Sequence, residues 1–311
     1  LSNEIGRKEF TIGVAGIGIS FLFDENFSGL GVDHIDDQFV TDMDEEIELR
    51  VHHGQAPEME RVEKIFDSGS TWAFYRSNGR YILQNDALGP GSSPTVFAIL
   101  EQGLKSGDIY ITHHALEHHL PPDPLGHPLN QILMILLLSL GKGMILHACG
   151  IDDRGSGYLF LGNSGDGKST AAKLWFDKNA TVLNDDRIVV REKDGVFWMY
   201  GTPWHGDFRE FSSNGLPIQK IFFLHRGEEN GVLQKSGVEA VAMLLTRSFP
   251  PLWDYKGMAY TMDLCHRLVS KIPCYELSFR PDAGVVDFVR NVQTEGTTRQ
   301  EDFKNHVKEQ V

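Results

Sequence analysis

Three things are scarce in this 311-residue sequence. Cysteine occurs only at Cys149, Cys265 and Cys274, an odd number with no CxxC spacing. That argues against a disulfide framework or a zinc site and points to reduced thiols in a cytoplasmic protein. Positive charge is also short. Lys and Arg total 29 against 43 Asp and Glu, for a formal net charge of −14. Such a balance does not suit a general nucleic-acid binder or an anionic-membrane binder. Long apolar runs are missing as well. The most apolar stretch, Gln131–Leu140, covers about ten residues where a bilayer needs roughly 20, so it reads as a buried helix ended by Gly141 and Gly143. No signal peptide and no internal repeat is visible.

The most informative segment that is present is Gly162, Asn163, Ser164, Gly165, Asp166, Gly167, Lys168, Ser169 and Thr170, a complete GxxxxGK[ST] pattern, the Walker A loop. Glycines let the backbone turn tightly so that successive N–H groups point at phosphate oxygens. Lys168 supplies a fixed charge near the β- and γ-phosphates, and the Ser169 hydroxyl can ligate Mg²⁺. The flanks agree. Tyr158–Leu161 is a continuous apolar run, as in a buried strand, and Ser169–Asp177 has helical spacing. A strand, a glycine turn and a helix N-terminus together form an anion site.

Two further features belong with this loop. Asp185 and Asp186 end the short apolar run Ala180–Asn184. A carboxylate at that distance can reach a loop-bound Mg²⁺, as the second acidic element of phosphate-loop enzymes does. One of the pair can hold the metal or its water, and the other can take a proton from an attacking hydroxyl. His147 lies on the apolar run Met144–Ile151, which reads as a neighbouring strand, and a His bonded to Asp185 would orient that carboxylate.

These residues carry a resemblance. His147, the Gly162–Ser169 loop and the Asp185-Asp186 pair, in that order and spacing, are similar to the catalytic domain of HPr kinase/phosphorylase and its relatives. The likeness is close over 143–190 and loose over 191–290. It implies an α/β fold: a phosphate-loop kinase domain akin to phosphoenolpyruvate carboxykinase over 130–311, using ATP and Mg²⁺. It also implies roles. Lys168 contacts the β/γ-phosphates, Ser169 and Asp186 serve the metal, and Asp185 deprotonates a substrate serine with His147 orienting it. The departures matter too. Thr170 stands where HPr kinases carry Glu, no Gly-Arg-Asn segment follows, and the first 130 residues do not match their N-terminal domain. Gly201–Asp207 instead resembles HPr-kinase-like proteins found with ribosomally made peptides, some of which phosphorylate a precursor-peptide serine. The acceptor implied is therefore a peptide or protein serine, with no nucleic acid or membrane partner. The relatives' hexamers imply a homo-oligomer. The alternatives are a nucleotide-binding assembly ATPase without kinase activity, a free-serine kinase, or a true HPr kinase/phosphorylase.

The remainder divides at about residue 129. Residues 1–129 read as a β-rich α+β domain, a candidate for substrate docking. Its clearest element is a Trp72–Leu83 hairpin turning at Asn78-Gly79. The acidic run 42–48 reads as a solvated face. His113, His114, His118, His119 and His127, among Pro121, Pro122, Pro124 and Pro128, read as a linker rather than a metal site. Farther on, a hairpin is expected at Asp194-Gly195, a helix over Val238–Leu245, and strands at Lys220–Leu224 and Cys274–Phe279. His205, Asp207, Arg209 and Arg247 remain open as contacts to substrate, metal or phosphoryl group. The polar stretch from Thr294 reads as a fraying tail or a surface helix.

Overall fold

The computed structural model describes residues 9–24, 37–59, 62–69, 71–85, 95–112 and 124–293. The expected linker histidines at 113–119 and the tail from Thr294 lie outside the described residues. The architecture is mixed α/β, with two large sheets and five α-helices among the described residues.

The first sheet holds β1 (Glu9–Val14), β2 (Ile17–Phe23), β3 (Ile47–His53), β4 (Glu63–Asp67), β5 (Trp72–Ser77), β6 (Arg80–Asn85), β7 (Val96–Glu101) and β8 (Ser106–Ile111). Their order is β1-β2-β3-β8-β7-β6-β5-β4, with β2, β3 and β8 running parallel. Tight turns set the hairpins. Ala15-Gly16 joins β1 to β2 and Asn78-Gly79 joins β5 to β6, each with φ positive at both residues. That backbone twist matches the twist of paired strands.

Helix α1 (Leu129–Ser139) has nine of its eleven residues buried. An all-round apolar helix must be covered on every side. Here Leu133, Leu136 and Leu137 share one core with Ile12, Ile19, Phe21, Leu49 and Ile109 of the first sheet and with Ile145 and Val189 beyond it. The helix that opens the expected kinase half is thus packed into the N-terminal half. Arg191 reinforces the junction, its Nη1 donating to the Ala15 carbonyl oxygen at 2.5 Å.

The second sheet is built on β9 (Met144–Asp153), β10 (Ser156–Leu161), β11 (Thr181–Asn184), β12 (Arg187–Lys193), β13 (Val196–Tyr200), β14 (Gly215–Arg226), β15 (Gly231–Lys235) and β16 (Cys274–Phe279). Two long strands bend it. β9 pairs with β12 at one end and with β10 and β11 at the other. β14 pairs with β13 first, then runs parallel to both β10 and β16. The path β9-β12-β13-β14-β10 therefore closes on itself. Alternate residues of β10 face two cores: Leu159 and Leu161 meet helices α3 (Gly237–Leu245) and α4 (Tyr255–Lys271), while Tyr158 and Phe160 meet α2 (Lys168–Phe176) and α5 (Gly284–Arg290). Both faces are covered, which explains the unbroken apolar run of this strand.

The three cysteines are free and buried. Burial pushes the Cys265 and Cys274 thiols up to about 12, so neither is poised for thiolate chemistry.

Candidate active site

Segment 162–167 connects β10 to α2, at the end of the sheet where parallel β10, β14 and β16 all terminate. Gly165 and Gly167 have φ of +89° and +106°. At Gly167 a Cβ would stand 2.7 Å from the Phe279 ring, so only glycine fits there. Asn163 N–H donates to the Asp166 carboxylate at 2.5 Å and tightens the turn. Lys168 starts α2 and bends back, its Nζ donating to the carbonyl oxygens of Gly162 (2.9 Å) and Asn163 (3.1 Å). It is 7% exposed. Burial pushes its ammonium below the usual lysine range, against the opposing pull of Asp186, Asp166 and Asp185.

The loop borders a cleft of about 320 Å³ lined chiefly by polar groups. Ser164, Gly165, Gly167, Lys168, Ser169 and Thr170 form one wall. His147, Asp185, Asp186, Gly206, Asp207 and Arg226 form the rest. Gly162, Asn163 and Asp166 are outside that lining and bond within the loop itself.

The two aspartates are turned in different directions by Asn184. Its Oδ1 accepts from the N–H groups of Asp186 (2.7 Å) and Arg187 (2.9 Å), and its Nδ2 donates to the carbonyl oxygens of Thr202 and Trp204. This side chain has no exposed surface, and the turn it makes ends β11. Asp185 points toward α2. Its Oδ2 accepts from the Ser169 hydroxyl (2.7 Å) and the Phe208 N–H (3.0 Å), and its Oδ1 accepts from the Gly206 N–H (2.7 Å). Asp186 points toward β9, where its Oδ1 lies 3.1 Å from His147 Nε2.

The expected partnership of His147 with Asp185 is thus corrected: the imidazole meets Asp186. Register supplies the reason. His147 is paired across the ladder with Arg187, so the residue adjoining Arg187 is brought beside it, while Asp185 is drawn inward by the 206–208 amides. Burial works to raise the proton affinity of Asp186. The His147 hydrogen bond, Arg187 and Lys168 outweigh it and hold the carboxyl below the usual aspartate value.

Of the residues left open by the sequence, only Asp207 lines the cleft. His205 stacks on Phe211 at 5.0 Å and accepts or donates no bond toward the aspartates; its Nδ1 meets the Gly206 carbonyl. Arg247 turns away, its Nη1 on the Met243 carbonyl and its guanidinium over Phe223, although its own carbonyl accepts from His147 N–H. Arg209 is exposed and outside the lining. Three residues were not singled out by sequence: Asn184, Gly206 and Arg226. Asn184 sits beside a conspicuous Asp pair, and that adjacency was its only signal. Arg226 reaches the cleft only because β14 runs parallel to β10, which is a matter of topology.

The donor set suits one kind of ion. Ser169 Oγ and the two carboxylates are hard oxygen ligands. Among the described residues no group of three or more His, Cys, Asp or Glu converges into a closed metal cage. Mg²⁺ needs none, since it takes one or two carboxylates and completes its shell with phosphate and water.

No protein-family model matches the chain, and neither does any curated protein sequence. Among solved structures, the Hpr(Ser) kinase/phosphatase from Coxiella burnetii is similar at 13% identity and a TM-score of 0.32, over 47% of this chain and 94% of that one.

Proposed function

We propose that this protein is an ATP- and Mg²⁺-dependent kinase that transfers the γ-phosphoryl group to a hydroxyl, a serine of a peptide or protein. The observation that carries the reading is one cleft holding a glycine-turn lysine, a Ser169–Asp185 pair and a separate Asp186–His147 pair. A protein that only bound nucleotide would have no use for the second pair.

The contacts support a role for each residue. The 162–167 amides and Lys168 grip the triphosphate, aided by the N-terminus of α2. Ser169 and Asp185 would hold Mg²⁺, which when bound neutralises charge on the phosphoryl oxygens. Asp186 is the base. It accepts the proton of the incoming hydroxyl as that oxygen bonds to the γ-phosphorus and the bond to the ADP oxygen breaks. His147 holds Asp186 in place and favours its ionised form. Arg226, whose Nε would stand 3.9 Å from a Cβ placed on Gly167, is suited to the charge on the phosphate tail. This differs from the division implied by the resemblance, in which Asp185 takes the proton and Asp186 serves the metal.

The test is direct. Incubation with γ-labelled ATP, Mg²⁺ and a serine-containing peptide library is expected to put label on serine. ADP formation with unlabelled peptides would instead favour the assembly-ATPase alternative. Lys168→Ala is expected to weaken ATP binding by about tenfold or more, since a charge-assisted contact is worth roughly 1.5–3 kcal/mol. Unchanged affinity would contradict the loop assignment.

A further inference from the structure

Residues 201–214 form a loop closed at its neck, where Gly201 N–H donates to the Asn214 carbonyl oxygen at 3.2 Å and Ser212 N–H donates to the Leu183 carbonyl oxygen at 3.1 Å. Its near side supplies the two amides that hold the Asp185 carboxylate. The fit is close: a Cβ on Gly206 would stand 3.0 Å from Asp185 Oδ2.

The far side of the loop is held from the other half of the molecule. Gln38, in the 3₁₀ turn Asp37–Phe39, receives Ser213 N–H on its Oε1 at 2.9 Å and donates its Nε2 to the Phe211 carbonyl oxygen at 3.4 Å. The adjacent Phe39, 1% exposed, stacks on Phe211 with ring centroids 6.2 Å apart. Phe211 in turn carries His205, which bonds the Gly206 carbonyl. Trp204 and Phe211 pack on the core of the first sheet. The 3₁₀ turn is itself tied to β1, where Thr41 N–H donates to the Thr11 carbonyl oxygen and Val40 bridges Ile12.

We infer that Gln38 and Phe39 are positioning residues for Asp185. They act through the 201–214 loop, so the N-terminal half completes the active site rather than merely standing beside it. A continuous path runs from β1 through the 3₁₀ turn, Phe211, His205 and the 206–208 amides to the carboxylate that bonds Ser169. Whatever shifts the turn shifts that carboxylate. The structural claim stands independently of the kinase reading; its catalytic consequence rests on it.

The experiment compares Gln38→Ala, Gln38→Glu and the unsubstituted full chain by amide hydrogen exchange resolved at Gly206 and Phe208. Gln38 is exposed, so its replacement leaves the core intact. In Gln38→Ala these two amides are expected to exchange about tenfold faster, reporting local opening. Gln38→Glu keeps the acceptor for Ser213 N–H and loses the donor, so it should fall between the other two. Unchanged exchange at Gly206 and Phe208 would overturn the inference, as would equal acceleration across the whole chain. In the same preparations, kcat for phosphoryl transfer is expected to fall about tenfold in Gln38→Ala, with KM for ATP within about twofold. If the amides loosen as expected but the unsubstituted protein transfers nothing, the positioning role survives and the kinase reading falls.

Discussion

Two neighbouring aspartates with different surroundings can do two different jobs. Asp185 accepts three hydrogen bonds and is almost fully buried, whereas Asp186 keeps access to the cleft and borrows its orientation from His147. The pH dependence of the reaction should reveal that arrangement. The active form of a base is the ionised carboxylate, so the rate falls as pH drops through its pKa. In the unsubstituted protein the acid limb of kcat/KM is expected below the ordinary aspartate value of 3.8. His147→Asn removes the chief stabilising contact while the burial remains, and the limb should move to higher pH. Superimposable profiles would show that His147 does not govern the base. Gly167 offers a second residue-scale check. With φ at +106° and the Phe279 ring close by, Gly167→Ala strains the loop by about 1–3 kcal/mol. Calorimetric titration should then give an ATP affinity about tenfold weaker or worse.

At the scale of elements, much of the chain was legible. The hairpins at Asn78-Gly79 and Asp194-Gly195 follow directly from residues that tolerate positive φ, and β16 spans the expected Cys274–Phe279. Arg154-Gly155 makes the same kind of turn between β9 and β10, but a sequence with Arg at that position does not advertise it. Helix α4 was not anticipated. It carries Gly257 in its first turn and Thr261 beyond it and its mean hydropathy is low, so propensity speaks weakly; the Asp254 side chain capping Lys256 and Gly257 N–H starts it, and packing of Leu264 and Leu268 holds it. Helix α1 was legible as buried, but not which core it would fill. Because it bridges both halves, Leu133→Ala should cost about 2–5 kcal/mol. It should also lower a single unfolding transition rather than split it, which a denaturant titration followed by two probes would check.

At the scale of the whole molecule, the candidate site draws on residues far apart in the chain. Strand β9 brings His147, β10 and α2 bring the glycine turn, β14 brings Arg226, and the N-terminal half reaches the site through Gln38. The glycine turn and the Asp pair could be read from spacing alone, because their chemistry fixes both residue types and order. The pairing of His147 with Asp186 could not. It depends on the register of β9 against β12, which sets Arg187 opposite His147 and so places Asp186 next to the imidazole. No described helix is long and apolar enough to cross a membrane. The two sheets meet through α1, whose buried residues share one core with the first sheet and with Ile145 and Val189 of the second.

The division of labour between the aspartates is tested most directly by single-turnover transfer of labelled phosphate to a serine peptide in Asp186→Asn, with ATP affinity measured on the same sample. Asp186→Asn should bind ATP within about twofold of the unsubstituted protein and transfer at least about a thousandfold more slowly, as loss of a positioned base does. Transfer at an undiminished rate, with Asp185→Asn inactive through loss of the chemical step alone, would return the base to Asp185 and contradict the account.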